Sequence, residues 1–294
     1  HGGSFYSGDK SMSDCVDFCT SMAKRGYVSV SLNYRLANLI SFLSSNTEQY
    51  KAVLRSVADL KAGVRFLRKD FTIGDTYGID PNTIFVGGYS AGAIAAIHTA
   101  FIDSISDLSA TIQALMPTIG GTLEGDAGND GYSSEVTAIF SFAGGINDLN
   151  WIDANDEPMV SCQGTADQTV NYNCGPGLNN PAIVNLCGSA QMHARADSVG
   201  LLNSHLSFPG TDHLWAASGN SNNKFIQAIT FTSDFLYNLL PCNQTTTSIT
   251  TISKNEKTLI RIVDVLGRKA TPTYNAPLFY IYDDGTVEKK LIVQ

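Results

Sequence analysis

The stretch that most constrains the fold is residues 83–101, TIFVGGYSAGAIAAIHTAF. Thr83 to Val86 is a short apolar run with the character of a buried strand. Gly88-Tyr89-Ser90-Ala91-Gly92 follows it, and Ala91 to Phe101, rich in small residues, reads as a helix. A G-x-S-x-G pentapeptide alone carries little information. Set between a strand and a helix, it describes a tight turn that lifts a serine hydroxyl out of a sheet. Glycine is required on both sides because the flanks of such a turn crowd each other, and a side chain there would collide. The turn also sets Ser90 at a helix N-terminus, where backbone N–H groups favour developing negative charge. Ser90 is therefore the candidate nucleophile.

The segments around it repeat one pattern. A helix is expected from about Ser13 to Arg25, and the β-rich run Tyr27 to Tyr34 after Gly26 reads as a strand. Between residues 48 and 69, Tyr50, Val53, Val57, Leu60, Val64 and Leu67 recur at three- and four-residue steps, which predicts a long amphipathic helix. Beyond the serine turn, strands are expected at Val136 to Ala143, Pro158 to Cys162 and His205 to Phe208. Helices are expected at about 189–199 and 223–240. Strands alternating with helices predict an α/β fold, a mostly parallel sheet covered by helices on both faces. In such sheets the ligand site lies beyond the carboxyl ends of the strands. The glycines of residues 120–131 are irregular and no Gly-Lys-Ser/Thr follows, so they are not read as a phosphate cradle.

Length and charge narrow the function classes. The 294 residues suit one large domain, or one domain with a small appendage. A net charge of −8 with no basic stripe argues against nucleic acid as a partner. No apolar run reaches the roughly 20 residues that a transmembrane helix needs. The six cysteines, Cys15, Cys19, Cys162, Cys174, Cys187 and Cys242, show no C-x-x-C pair and no zinc-ligand spacing. Cys174 and Cys187 bracket a loop rich in Gly, Pro and Asn and are the first candidates for a bridge. Cys15 and Cys19, four apart on one helical face, read as packed thiols.

After Cys242 the composition changes. Asn243 to Lys254 is rich in Thr and Ser and reads as a linker or edge strand. Thr258 to Val265, Leu278 to Tyr282 and Val287 to Val293 read as strands, with a hairpin signal at Asp284-Gly285. This divides the chain at about 242, into residues 1–242 and an all-β module at 243–294.

A serine nucleophile needs a base, and the base needs an acid to orient it. In this kind of sheet they follow in the order Ser, Asp or Glu, His. Asp167, in GTADQTV after the Pro158 strand, and His213, in PGTDHLW after the His205 strand, occupy loops at strand ends in that order. An Asp in a turn is usually a capping residue, so Asp167 stands on its position relative to Ser90 and His213. Asp212 is a poor orienter of the ring next to it. His98 and His193 fall on helices, His205 begins a strand, and His1 belongs to another motif. Donors for a tetrahedral oxyanion are each worth about 10²–10³ in rate. The N–H of Ala91, after the nucleophile, is one candidate, and the side-chain-free backbone of His1-Gly2-Gly3 supplies Gly2 and Gly3.

HGGSF at 1–5, GYSAGA at 88–93, GTADQTV at 164–170 and GTDH at 210–213 together resemble the carboxylesterase branch of the α/β-hydrolases. The likeness is to secreted bacterial esterases related to the hormone-sensitive-lipase and feruloyl-esterase groups, over about residues 1 to 241. It implies Ser90 as nucleophile, His213 as base, Asp167 as acid, and Gly2, Gly3 and Ala91 as oxyanion donors. It also implies a small-molecule or carbohydrate-linked ester as substrate, and no cofactor or metal. The short segment from Gly144 to Glu157 leaves no large lid, which favours soluble short-chain or carbohydrate-linked esters. Trp151 and Trp215 are candidates for the substrate pocket or for the core. The family often has His where Gln163 stands. Residues 243–294, with IVDVLGRK at 262–269 and YIYDDGTVEKKLIV at 280–293, are similar to the C-terminal sorting domains of type IX secretion. That implies the type IX machinery as partner and export to the medium or cell surface of a Gram-negative cell, a setting that suits disulfides. A small β-sandwich accessory domain is the alternative.

Two other functions are to be weighed. A serine peptidase of the prolyl-oligopeptidase type shares fold and triad, but the HGG element and Ala91 favour an esterase. A surface binding module on an inactive hydrolase fold is disfavoured because Ser90, Asp167 and His213 are all present. The family also carries strands before its HGG motif, one of them between the Tyr27 and Thr83 strands, and this sequence holds none. Without that strand two rows of buried backbone groups lose their partners. The chain is thus expected to be a piece of a longer one, N-terminally truncated, and on its own to fold poorly or aggregate. A cooperative unfolding transition at high temperature, followed by circular dichroism, would overturn that expectation.

Overall fold

Four parallel strands organise the N-terminal unit. The structure, a computed structural model, describes residues 1–242, 257–283 and 285–291. In chain order the strands are β1 (Phe85–Tyr89), β2 (Ala138–Phe142), β3 (Met159–Gly164), the short pair β4 (Cys174–Pro176) and β5 (Asn185–Cys187), and β6 (Asn203–Phe208). A parallel sheet runs in the order β1-β2-β3-β6. Every residue of β2 and β3 is buried, as expected of parallel strands covered on both faces. Ala138, Phe140, Phe142 and Val160 face one side, packed with Met22, Phe225, Ala228 and Ile229. Ile139 and Met159 face the other, packed with Val64, Ala96, Ile97, Met192 and Ala196.

Seven helices supply these layers among the described residues: α1 (Ser13–Ala23), α2 (Leu39–Ser44), α3 (Asn46–Ile73), α4 (Ala91–Phe101), α5 (Ala110–Gln113), α6 (Ser189–Val199) and α7 (Asn223–Asn238). Thus α1 and α7 cover one face, and α3, α4 and α6 the other. This is the α/β-hydrolase fold, with a four-stranded parallel sheet and helices on both sides. None of the helices among the described residues is long and apolar enough to cross a membrane.

Several expected elements differ. α3 begins two residues earlier and ends four later than expected, because the Ser45 hydroxyl accepts the Glu48 N–H and caps it. α2, which the sequence pattern did not suggest, is capped by the Asn38 side chain, which accepts from the Ile40 and Ser41 N–H groups. β1 lies two residues further on than the run Thr83 to Val86, directly against the serine turn.

The main correction concerns Tyr27 to Tyr34. It is extended but joins no ladder, so it is not a strand of the sheet. Its contacts are local: the Tyr27 N–H donates to Met22 O, the Ser31 hydroxyl donates to Lys10 O, and Asn33 Oδ1 accepts the Lys10 N–H. A mostly apolar cavity of about 640 Å³ is lined by residues 26–32 on one side and 83–89 on the other. No backbone hydrogen bond joins the two segments. A β-rich sequence makes a strand only where a neighbouring backbone lies within hydrogen-bond reach.

Cys174 and Cys187 face each other across the β4–β5 pair and are joined by a disulfide, the bridge suggested by the loop between them. Cys15, Cys19, Cys162 and Cys242 are free thiols.

Residues 1–244 and 245–294 are separate compact units. The second holds an antiparallel sheet in the order β7-β8-β9, of β7 (Leu259–Val263), β8 (Pro277–Tyr282) and β9 (Val287–Leu291). The Asp264 carboxylate closes the turn after β7, accepting from the Leu266 and Arg268 N–H groups and from Arg268 Nε, with Gly267 at φ +76°. The expected linker at Asn243 to Lys254, Asp284 of the hairpin signal and the last residues of the final strand lie outside the described residues.

Phe142 is the aromatic centre of the first face, in ring contact with Phe18, Phe140, Trp215 and Phe225. Phe142→Ala should cost about 3–5 kcal/mol of stability, read as a lowered midpoint in urea with unchanged slope. A loss below about 1 kcal/mol would mean that this cluster does not hold the face together.

Candidate active site

The site is built from the residues that follow β1, β3 and β6. Ser90 adopts φ +54°, ψ −118°, an arrangement that L-residues avoid and that the neighbouring structure must enforce. Its N–H donates to Phe142 O at 2.8 Å, continuing the β1–β2 ladder into the turn, and α4 starts at the next residue. A Cβ on Gly88 would lie 2.7 Å from the Gly92 carbonyl carbon, and one on Gly92 would lie 2.9 Å from backbone atoms of His1. Both glycines are therefore required by close backbone approach, as the motif predicts.

The three residues separated in sequence converge. His213 Nε2 lies 2.8 Å from Ser90 Oγ, and His213 Nδ1 lies 2.8 Å from Asp167 Oδ2. All three are buried, with 4–6% of their surface exposed. Asp167 Oδ1 accepts the N–H groups of Thr169 and Val170, each at 2.9 Å. Because Oδ2 is an acceptor, Nδ1 carries the proton and Nε2 faces the serine as the free base. Asp212, the rejected alternative, instead caps the turn at His213, accepting the N–H groups of His213 and Gln168.

Burial disfavours the charged form of His98, His193 and His205. Burial pushes His98 down to about 4, and His205 likewise to about 4, with His193 beside it lowering it further. His193 is lowered by burial against the hydrogen bond to Asn203. Its Nε2 lies 2.6 Å from Ser161 Oγ, a serine–histidine pair that mimics the arrangement at Ser90. Ser161 is wholly buried in β3, so no substrate reaches it.

The HGG loop lies against the serine turn. A Cβ on Gly2 would sit 3.1 Å from the Tyr89 ring and 3.5 Å from Ser90 Cβ. Gly3 has φ +115°, and a Cβ there would lie 2.1 Å from Ser7 O. Ser4 and Phe5 also have positive φ, so this loop is tightly wound. The Gly3 and Ala91 N–H groups are used in no hydrogen bond among the described residues. The Asp14 carboxyl is raised, chiefly by burial. His1 stacks on Tyr34 with ring centroids 4.2 Å apart, and the Tyr34 hydroxyl donates to His1 O, which anchors the loop.

Sequence reasoning missed one supporting residue and left the contacts of another unseen. The Tyr89 hydroxyl donates to His213 O at 3.2 Å, tying the histidine loop to the strand that carries the serine. Gln163, noted in the sequence only as a departure from the family pattern, lies beside Asp167. Tyr89 has no local signature, since its partner is distant in the chain. Trp215 proves to be a core residue packed on Phe142 and Phe208. Trp151 lines an apolar cavity of about 60 Å³ beside α4, and its indole donates to Asp107 O. No group of three or more His, Cys, Asp or Glu among the described residues is placed to hold a metal ion.

Known proteins resemble the chain in part of its sequence and in its fold. Residues 1–144 match the BD-FAE family model. Esterase 2 of Thermogutta terrifontis phosphorylated by paraoxon is similar in structure, with 20% sequence identity, a TM-score of 0.56, and coverage of 81% of this chain and 80% of that one. Its propionate-bound form has the same identity, TM-score and coverage. A truncated carbohydrate esterase from gut microbiota has 17% identity and a TM-score of 0.54, covering 81% of this chain and 83% of that one. No curated protein sequence matches the chain. At these identities the likeness establishes the fold, and the site must be argued from its own geometry.

The close approach of two loops at Gly164 can be tested. A Cβ there would lie 2.1 Å from Thr211 O and 3.1 Å from Asp212 O. Gly164→Ala should therefore push the His213 loop off Asp167, and a displacement of about 1 Å is enough to cost about 10²-fold. The readout is the rate of Ser90 modification by a fluorophosphonate. An unchanged rate in a folded variant would show that the loop absorbs the methyl group.

Proposed function

We propose that this chain is a serine carboxylic-ester hydrolase. The observation that carries the reading is the unbroken hydrogen-bonded path Ser90–His213–Asp167, with the serine at positive φ on the N-terminus of α4. His213 Nε2 takes the Ser90 proton as the serine oxygen attacks the ester carbonyl. Asp167 holds the ring with Nδ1–H toward its carboxylate and stabilises the imidazolium that forms. The Gly2, Gly3 and Ala91 N–H groups receive the oxyanion. The imidazolium returns its proton to the leaving alcohol, and water, activated by the same nitrogen, hydrolyses the acyl-enzyme. No step requires a cofactor.

Short-chain or carbohydrate-linked esters are the substrates this reading favours. It is supported by the short Gly144–Glu157 segment, and by the esterase and carbohydrate-esterase character of the structural neighbours. A fluorophosphonate probe should label the protein and fail to label Ser90→Ala; equal labelling of both would end the assignment. Asp167→Asn should lower kcat by about 10⁴ on p-nitrophenyl butyrate. Faster turnover of a prolyl anilide than of p-nitrophenyl acetate or butyrate would favour the peptidase reading instead.

For residues 243–294 we propose a role as a sorting module read by type IX secretion, so that the enzyme acts outside a Gram-negative cell. The support is the sequence likeness given above and the separate three-stranded unit. In a host with that machinery, the full chain should reach the medium or cell surface and a version lacking residues 243–294 should not. Equal export of both would refute the role.

A further inference from the structure

Asp167 is held by more than its own loop. Gln163, the penultimate residue of β3, is completely buried, and every polar atom of its amide is engaged. Oε1 accepts the Ser189 N–H at 2.7 Å, at the start of α6. Because that partner can only donate, the amide orientation is determined and its NH₂ group must face the other way. There it donates to Val170 O at 2.8 Å and to Asp167 Oδ2 at 3.3 Å. A Cβ on Gly188 would lie 2.8 Å from Gln163 Oε1, so the residue before α6 lacks a side chain where the amide packs.

The Asp167 carboxylate thus has four donors: Thr169 and Val170 N–H on Oδ1, and His213 Nδ1–H and Gln163 Nε2–H on Oδ2. An ionised carboxylate offers about four acceptor directions, so its hydrogen-bonding capacity is filled. His213 and Gln163 share one oxygen. The amide both aims that oxygen and places an uncharged group where any ionised side chain would act on the Asp167–His213 pair through a dry interior.

We propose that Gln163 is a positioning residue for the reaction. It locks the Asp167 carboxylate toward His213 and keeps the acid's buried neighbour neutral, so that the proton affinity of His213 is set by Asp167 alone. The proposal rests on the Ser90–His213–Asp167 reading and adds to it a residue that touches neither substrate nor serine.

Gln163→Glu, Gln163→His and Gln163→Met, made in the full chain, test it through the pH dependence of kcat/KM on p-nitrophenyl butyrate. An added carboxylate beside Asp167 favours the imidazolium of His213 and should raise the acid limb by about one pH unit. An imidazole that gains a proton next to Asp167 adds a positive charge and should move the limb the opposite way. Methionine has similar length but no donor. It should lower kcat about tenfold with KM changed less than twofold, and leave the limb in place. A residue that merely fills space would not yield shifts of opposite sign. Far-UV circular dichroism and the melting temperature identify folded variants; should Gln163→Glu fail to fold, the shift in Gln163→His against wild type and Gln163→Met decides alone. Acid limbs of folded Gln163→Glu and Gln163→His that coincide with wild type, or an unchanged kcat in Gln163→Met, would overturn the positioning role. Wild type that is not labelled at Ser90 by fluorophosphonate would instead overturn the triad reading itself, a distinct failure.

Discussion

One backbone constraint governs the molecule: Ser90 sits at φ +54° between the last residue of β1 and the first of α4. A non-glycine residue held in such a region costs on the order of 1–3 kcal/mol and persists only when its surroundings leave no alternative. Those surroundings are visible on every side. Phe142 O on β2 takes the Ser90 N–H, Gly88 and Gly92 admit the neighbouring backbones, and α4 is buried along its whole length. The strain presents the hydroxyl at the rim of the sheet, with helix N–H groups behind it.

The other two groups reach that hydroxyl through sheet order and turn chemistry. β3 and β6 pair in register, so Gly164 and Phe208 end side by side and the loops after them run together. The Gly164 backbone touches Thr211, Ala166 N–H donates to Thr211 O, and Asp212 caps both loops. The Tyr89 hydroxyl then ties His213 back to the serine strand. A buried charged group is costly unless its partners are complete, and Asp167 meets that condition with four donors drawn from its own loop, β3 and the His213 loop. Hydrogen bonding and packing reinforce each other at this rim: the loops are held by the hydrogen bonds that fill the carboxylate.

Much of this was legible because it is local. α4 and α6 run over the residues their composition indicates, and the motifs around Ser90, Asp167 and His213 occupy the strand-end loops where the pattern put them. Cys174 and Cys187 were legible from the turn-rich loop between them. What failed was non-local. Tyr27 to Tyr34 has strand composition, but hydrogen bonding to a neighbour is not a property of the segment, and here no strand pairs with it. Tyr89 is an ordinary residue in sequence, and its role exists only through His213, 124 residues away, whereas Gln163 stood out only as a departure from the family pattern, its contacts to Asp167 and Ser189 unseen. Trp215 could be placed in pocket or core only once Phe142 and Phe208 were seen around it.

By itself the sequence determined the alternation of strands and helices, the order in which serine, acid and base occur, and the glycines that let backbones approach at the turn. Periodicity and motif spacing are short-range properties, and a linear chain records them directly. Tertiary structure alone decided that three loops meet with 2.8 Å between successive groups, that the amide of Gln163 faces Asp167, and that residues 27–34 stay outside the ladder. Each of those depends on where distant backbones lie relative to one another, and that information enters only when the sheet is assembled.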